Sequence, residues 1–170
     1  MSDLLAIVRN LNRLSALART GLLDTAAEEP FDRLTRLAAR IVRAPVALVT
    51  LVDSDRQFFK SCVGLDEPLN SDRQTPLSHS FCQHALESDD PLVIEDARVH
   101  PLVSDNHAIR DLGVVAYAGV PLVTAGGHAL GTLCVIDHKP RAWTRDQIDT
   151  LTDLAASVMT EIELHAASTA

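Results

Sequence analysis

The chain has 170 residues, 46% of them hydrophobic and 22% charged, and carries a formal net charge of −8. That length suits one domain with its own core and is cramped for two. The acidic balance argues against a partner nucleic acid and against an anionic membrane surface. No apolar run approaches the ~20 residues that span a bilayer. No basic-then-apolar leader opens the chain either, so a cytoplasmic protein is expected. Cys62, Cys82 and Cys134 are odd in number, widely spaced and without a CxxC. Free thiols are therefore expected, not a disulfide framework or a structural zinc site.

Leu4, Ile7, Leu11, Leu14 and Ala18 recur at three- and four-residue spacing and predict an amphipathic helix over 3–18, within an N-terminal segment 1–20. Thr20 to Asp24 breaks it. Thr25 and Glu28 have capping-box spacing and open a second predicted helix carrying Phe31, Leu34, Leu37, Ala38, Ile41 and Val42. Pro45 ends that helix. Val46 to Val52 is a continuous apolar run of strand length, Asp53-Ser54-Asp55 is a turn, and Arg56 to Val63 is the return strand of a hairpin.

Gly64 to Leu77 is polar, holds Pro68 and Pro76, and reads as a long loop of the kind that covers a site. Ser78 to Leu86 reads as a short helix, and Pro91 to Glu95 as a short strand. A short helix is placed at 106–112, inside a second long connection. Val114 to Val123 and Leu130 to Ile136 are β-rich and joined by a Gly126-Gly127 turn. Asp137 and Pro140 supply turn chemistry. Thr144 and Gln147 then fit a capping box that opens a helix over 144–165, followed by a tail at 166–170. Two hairpins among helices predict an α+β fold. There is no GxGxxG, no GxxxxGK[ST] and no GxSxG.

Four stretches carry a resemblance. Ala44 to Asp53 followed by Arg56 to Ser61 resembles the first hairpin of GAF domains. Thr75-Pro76-Leu77-Ser78-His79-Ser80-Phe81-Cys82-Gln83-His84 is similar to the helix that follows in many bacterial GAF sensors. Gly119-Val120-Pro121-Leu122 and Leu130-Gly131-Thr132-Leu133-Cys134-Val135-Ile136-Asp137 resemble the last two strands. The likeness covers roughly residues 22–164, so 21–165 is the expected domain. It implies a PAS-like antiparallel sheet of five or six strands, with helices packed on one face for dimer contacts and a ligand pocket on the other. It also implies a sensory role, in which a small molecule biases an output module such as a kinase, phosphatase or cyclase. The chain ends at Ala170 without one, so the output is expected to be a separate partner or a portion from which this domain has been excised.

The resemblance leaves the ligand open. Bilin-binding members attach their chromophore through a cysteine placed before a histidine. Here Asn106 precedes His107, which speaks against covalent bilin at position 106. The cyclic-nucleotide signature is absent. Free methionine sulfoxide reductases use lid cysteines, and Cys62 with Cys82 is the pair to weigh. Haem-binding members need an axial histidine, for which His79, His84 and His107 are available.

The candidate ligand-binding residues are Phe58, His79, Phe81, Cys82, His107, Tyr117 and Cys134, with no catalytic or metal set. His79, Cys82 and Gln83 would share a helix face. Phe58 and Phe59 point to opposite faces of a strand, and the pattern does not say which faces the pocket. Tyr117 would lend a polar tip to an apolar pocket. Ile148, Leu151, Ala155, Val158, Ile162 and His165 follow a 3-4-3-4-3 spacing. Together with the N-terminal helix they predict a parallel homodimer through the terminal helices, which would carry pocket changes outward. A thiol-based redox enzyme and a purely structural dimerisation module stand as the alternatives.

Overall fold

The computed structural model describes residues 3–169, and its six strands form one antiparallel sheet in the order β3-β2-β1-β6-β5-β4. The strands are β1 (Val46–Val52), β2 (Arg56–Val63), β3 (Gln74–Pro76), β4 (Leu92–Ile94), β5 (Ala116–Val123) and β6 (Ala129–Asp137). β1 and β6 are buried along their whole length because both faces of the sheet are covered. That double burial is why they read as unbroken apolar runs without strict alternation. The close approach of β6 to β1 depends on Gly131, where a Cβ would lie 1.9 Å from the Thr50 carbonyl oxygen.

Alternation within the strands divides the core into two layers. Ala47, Val49, Leu51, Leu133 and Val135 face α2 (Leu11–Arg19), α3 (Glu29–Val42) and α7 (Arg145–Thr169). Val46, Leu48, Val52, Cys134 and Ile136 face the opposite side. There the chain builds a cap from α4 (Leu69–Asp72), a 3₁₀ turn at Leu77–His79, α5 (Cys82–Ala85), a 3₁₀ turn at Ala97–Val99 and α6 (His107–Leu112). Val8 of α1 (Asp3–Val8) joins this second layer. The first segment therefore reaches past the sheet edge to the cap side.

The structure departs from several expectations. The helix expected over 3–18 is two, because Asn10 caps α2 by accepting from the Arg13 amide at 3.0 Å. The Arg13 guanidinium is buried and closes the break, donating to Val8 O, Val52 O and Ala129 O at 2.7–3.1 Å. α3 starts at Glu29, not Thr25, and the Thr25/Glu28 capping box does not form. Thr25 Oγ1 donates to Leu22 O at 2.6 Å, and both Thr25 and Glu28 serve the buried Lys60 ammonium at 2.5–2.7 Å. The stretch Gly64 to Leu77 holds α4 and the edge strand β3. Ser78 to Leu86 is not one helix, since Ser80 is extended and separates a 3₁₀ turn from α5. α7 continues through most of the expected tail to Thr169, and Ala170 lies outside the described residues.

Lys60 also explains an ambiguity in β2. The pairing with β1 slips there, with Val49 opposite Ser61 and Thr50 opposite Phe59, so Lys60 is a bulge residue. The bulge lets Lys60 and Ser61 both turn towards α3 and the loop before it. Ser61 Oγ bonds Asp32 Oδ1 at 2.6 Å and Thr35 Oγ1 at 2.7 Å. Phe58 faces the helical layer and Phe59 the cap.

Candidate functional site

Between the cap and the sheet lies a cavity of about 40 Å³. Its floor is apolar, from Val46 and Leu48 of β1, Phe59 of β2 and Ile136 of β6. Phe81, Cys82, Ala108 and Leu112 close it from the cap, and Gln57, His79, Tyr117 and His138 bring polar atoms to it. Of the residues selected from sequence, His79, Phe81, Cys82 and Tyr117 line this cavity. Phe58, His107 and Cys134 do not. Phe58 points into the helical layer because of the β2 register. His107 is exposed and sets its ring edge-on to His79 at 5.5 Å. Cys134 lies deeper, beneath Cys82, with the two sulfurs 4.0 Å apart.

The Cys82 thiol is the most elaborated group in the cavity wall. Thr132 Oγ1 donates to its sulfur at 3.1 Å and Tyr117 OH at 3.3 Å. Thr50 Oγ1 stands 3.2 Å behind Thr132 Oγ1. Burial pushes the Cys82 thiol up, but the hydrogen bonds from Cys134, Thr132, Thr50 and Tyr117 outweigh it and bring the thiol down to about 6. Burial, and the bond that Cys134 gives to Cys82, raise Cys134 well above the ordinary thiol value. Of the two, Cys82 is the sulfur whose thiolate form these donors favour. Tyr117 reaches it because Gly119 has no side chain, since a Cβ there would fall 2.2 Å from the Tyr117 hydroxyl. Burial pushes the Tyr117 phenol well up, so it stays a donor.

A hydrogen-bond chain holds the cap shut. His79 Nε2 meets Asp111 Oδ2 at 2.8 Å, and Ser78 Oγ meets His79 Nδ1 at 3.0 Å. With the carboxylate as acceptor, Nε2 carries a hydrogen, and in the neutral ring Nδ1 accepts from Ser78. Arg110 and then His79 hold the Asp111 carboxyl well below the usual carboxylate range. Asn106 Nδ2 donates to Ser80 O at 3.1 Å, and Ser80 Oγ donates to Gln57 Oε1 at 2.8 Å. Asn106 also caps α6 by accepting from the Ala108 amide at 2.9 Å. Asn106 is thus a structural amide that ties α6 to the Ser80 backbone. Sequence reasoning missed Gln57 and His138 and left Phe59 undecided against Phe58. A buried glutamine in a strand was the available signal for Gln57. Phe59 needed the bulge, and His138 needed the tertiary fold.

The cavity volume decides which ligands fit this closed state. At roughly 10–15 Å³ per water-sized site, it holds about three waters. Pockets for drug-sized ligands occupy ~300–1,000 Å³. Neither a haem nor a bilin fits this volume. His84, one of the histidines considered for haem, instead has a buried Nδ1 without a hydrogen-bond partner. Among the described residues, no cluster of three or more metal-ligating side chains occurs, and no helix is long and apolar enough to cross a membrane.

The joint from β6 to α7 links the two faces. Arg141 donates to Val42 O at 2.7 Å and Arg43 O at 3.1 Å, and its amide donates to Glu95 O at 3.1 Å. Its guanidinium stacks over Trp143 at 4.2 Å. Trp143 Nε1 donates to Ile94 O of β4 at 3.1 Å. Thr144 and Gln147 exchange both capping-box bonds, at 3.2 and 2.9 Å, and open α7. Leu151, Ala155, Val158 and Ile162 are then buried against the domain's own sheet and α3. The stripe expected to be a dimer seam is consumed within one chain.

A six-stranded antiparallel sheet with long helices on one face and a capped cavity on the other defines a sensor-type α+β domain. The GAF domain family profile matches residues 26–162. The chain belongs to the GAF domain family. A cyclic di-GMP phosphodiesterase of Pseudomonas aeruginosa is 37% identical over 131 residues, which is 76% of this chain and 22% of that protein. The chain thus spans about a fifth of that relative's length. Its fold is similar to the GAF domain of an Acinetobacter phosphoenolpyruvate-protein phosphotransferase, with TM-score 0.67, 18% identity and full coverage of both chains. It is also similar to free methionine-R-sulfoxide reductase from Neisseria meningitidis, with TM-score 0.64, 17% identity, 100% of this chain and 96% of that one.

Proposed function

We propose that this domain senses a small molecule in the cap-side cavity and passes the state of the cap to α7. The observation that carries the reading is the joint at 137–144. It is bonded at once to β4, to the end of α3 and to the start of α7. A shift in the cap that moves β6 or β4 therefore reaches the helix that leaves the domain. In its closed state the cavity admits a molecule of about three non-hydrogen atoms. A larger ligand enters only after the His79–Asp111 bond opens. The output module is of the cyclic di-GMP phosphodiesterase class, a reading supported by the 37% identity to such a protein.

The test is native mass spectrometry of the full chain, purified without denaturation, beside Ala108→Leu. Ala108 lines the cavity and is buried, so the three added carbons take up its space. A small displaceable mass on the wild type, lost in a folded Ala108→Leu, is expected. No mass on either protein favours the structural-module reading instead.

The reductase reading has one specific support, the 4.0 Å approach of Cys82 and Cys134. It is not the pair weighed from sequence, for Cys62 Sγ lies against Asn70 Oδ1 at 3.6 Å. The closed cavity of about 40 Å³ is smaller than methionine sulfoxide, so that substrate would need the cap to open, and a coupled reductase assay without turnover rejects this reading.

A further inference from the structure

We infer that Cys82 and Cys134 are a redox pair that closes to an intramolecular disulfide when hydrogen peroxide enters the cavity. Four observations converge on it. The sulfurs are 4.0 Å apart, in a protein whose third cysteine lies elsewhere with Asn70. Two hydroxyl groups, Tyr117 and Thr132, donate to Cys82 Sγ, while Thr132 Oγ1 also has Thr50 Oγ1 at 3.2 Å and Tyr117 OH at 3.4 Å within reach. Such donors are what a thiolate needs and what a plain core thiol does not. Cys82 lines the cavity and Cys134 does not, so attacking and resolving roles are divided by access. Finally, the cavity of about 40 Å³ has room for a two-oxygen molecule beside Cys82.

The chemistry balances. The Cys82 thiolate attacks one peroxide oxygen, the O–O bond breaks, and the other oxygen leaves as hydroxide, which takes a proton to become water. Cys82 is now a sulfenic acid, two electrons more oxidised. The Cys134 sulfur attacks Cys82 Sγ, and hydroxide leaves with the Cys134 proton as a second water. Two thiols and one peroxide give one disulfide and two waters. A dithiol reductant returns the pair to its starting state.

The structural consequence follows from where each sulfur sits. An S–S bond of about 2.05 Å requires an approach of ~2 Å. Cys134 is in a central strand, paired to Leu48 on one side and Gly119 on the other. Cys82 is in α5, a four-residue helix of the cap. α5 therefore moves, and Cys82 surrenders its bonds from Tyr117 and Thr132. Oxidation tightens the same cap that the proposed sensing role requires to move. The pair depends on that role only for the cavity as its entrance.

The experiment uses the full chain carrying Cys62→Ser, which removes the half-exposed thiol. The protein is reduced, freed of reductant, treated with hydrogen peroxide, denatured and alkylated with iodoacetamide. Two alkyl groups before oxidation and none after are expected, with a Cys82–Cys134 linked peptide and recovery of both groups on dithiothreitol. With Cys134→Ser added, dimedone should mark Cys82; with Cys82→Ser added, nothing should be marked. Cys134→Ala replaces Cys134→Ser where the buried hydroxyl disturbs folding. The inference is overturned if both thiols stay alkylatable at peroxide levels that oxidise free cysteine in the same tube, or if dimedone marks Cys134 first. A displaceable mass in native spectra without any disulfide sinks the redox pair alone. A disulfide without such a mass sinks the ligand reading alone.

Discussion

Two glycines in the central strands have separate tasks. Gly131 lets β6 approach β1, with Thr50 O where its Cβ would be. Gly131→Ala should therefore cost at least about 3 kcal/mol in urea unfolding, because backbone has to yield. Gly119 instead makes room for the tip of one side chain, the Tyr117 hydroxyl. Gly119→Ala should keep the sheet, swing Tyr117 off Cys82 and raise the Cys82 thiol value, read by the pH dependence of alkylation in the Cys62→Ser background. His84 supplies a pH term. Burial, ahead of smaller effects from Glu87, Asp105 and His100, lowers its value from 6.5, so the folded state binds the proton less readily than the unfolded one. The associated stability is present above pH 6.5 and fades as the pH falls below it. Between pH 7.5 and 5.5, the urea midpoint of the wild type should drop more than that of His84→Leu. At this scale the sequence marked the cavity thiol and Tyr117. It left Phe58 and Phe59 undecided because the face each takes is set by the bulge at Lys60, which no strand periodicity encodes.

Elements were legible where local rules and tertiary packing agree. The Thr144/Gln147 capping box is formed in both directions, whereas the Thr25/Glu28 box is not. The physical difference is competition. Lys60 has no exposed surface on its side chain, and a buried ammonium without partners is far costlier than a missing cap. Thr25 and Glu28 therefore go to Lys60. Thr144→Ala should lower stability by about 1 kcal/mol, read from the denaturant midpoint. α7 carries the larger lesson. Its 3-4 stripe fits a coiled coil and a sheet equally well, and spacing does not distinguish them. Leu151 and Val158 have no exposed surface in a single chain. Leu151→Asp should thus unfold the domain, with a cost above about 3 kcal/mol, and not yield a folded monomer. We propose that any pairing of terminal helices uses outward residues such as Leu164, which is 59% exposed. Leu164→Asp should leave the fold intact by circular dichroism and change the mass found by light scattering.

At the scale of the molecule, an antiparallel sheet with helices on one face and a pocket on the other was readable from two hairpins and the resemblance of four stretches, without the strand order or the edge strand β3. The closure of the cap was not. It depends on bonds between residues such as His79 and Asp111, 32 positions apart, and on a cavity volume that no sequence pattern reports. The central claim is that the cap and the outgoing helix are coupled through the joint at 137–144. Hydrogen–deuterium exchange of the wild type against Asp111→Asn, which weakens the cap bond, tests it most directly. Faster exchange is predicted both in the cap, over 77–86 and 107–112, and in the joint with the first turns of α7. Faster exchange confined to the cap, with 137–150 unchanged, would contradict the account.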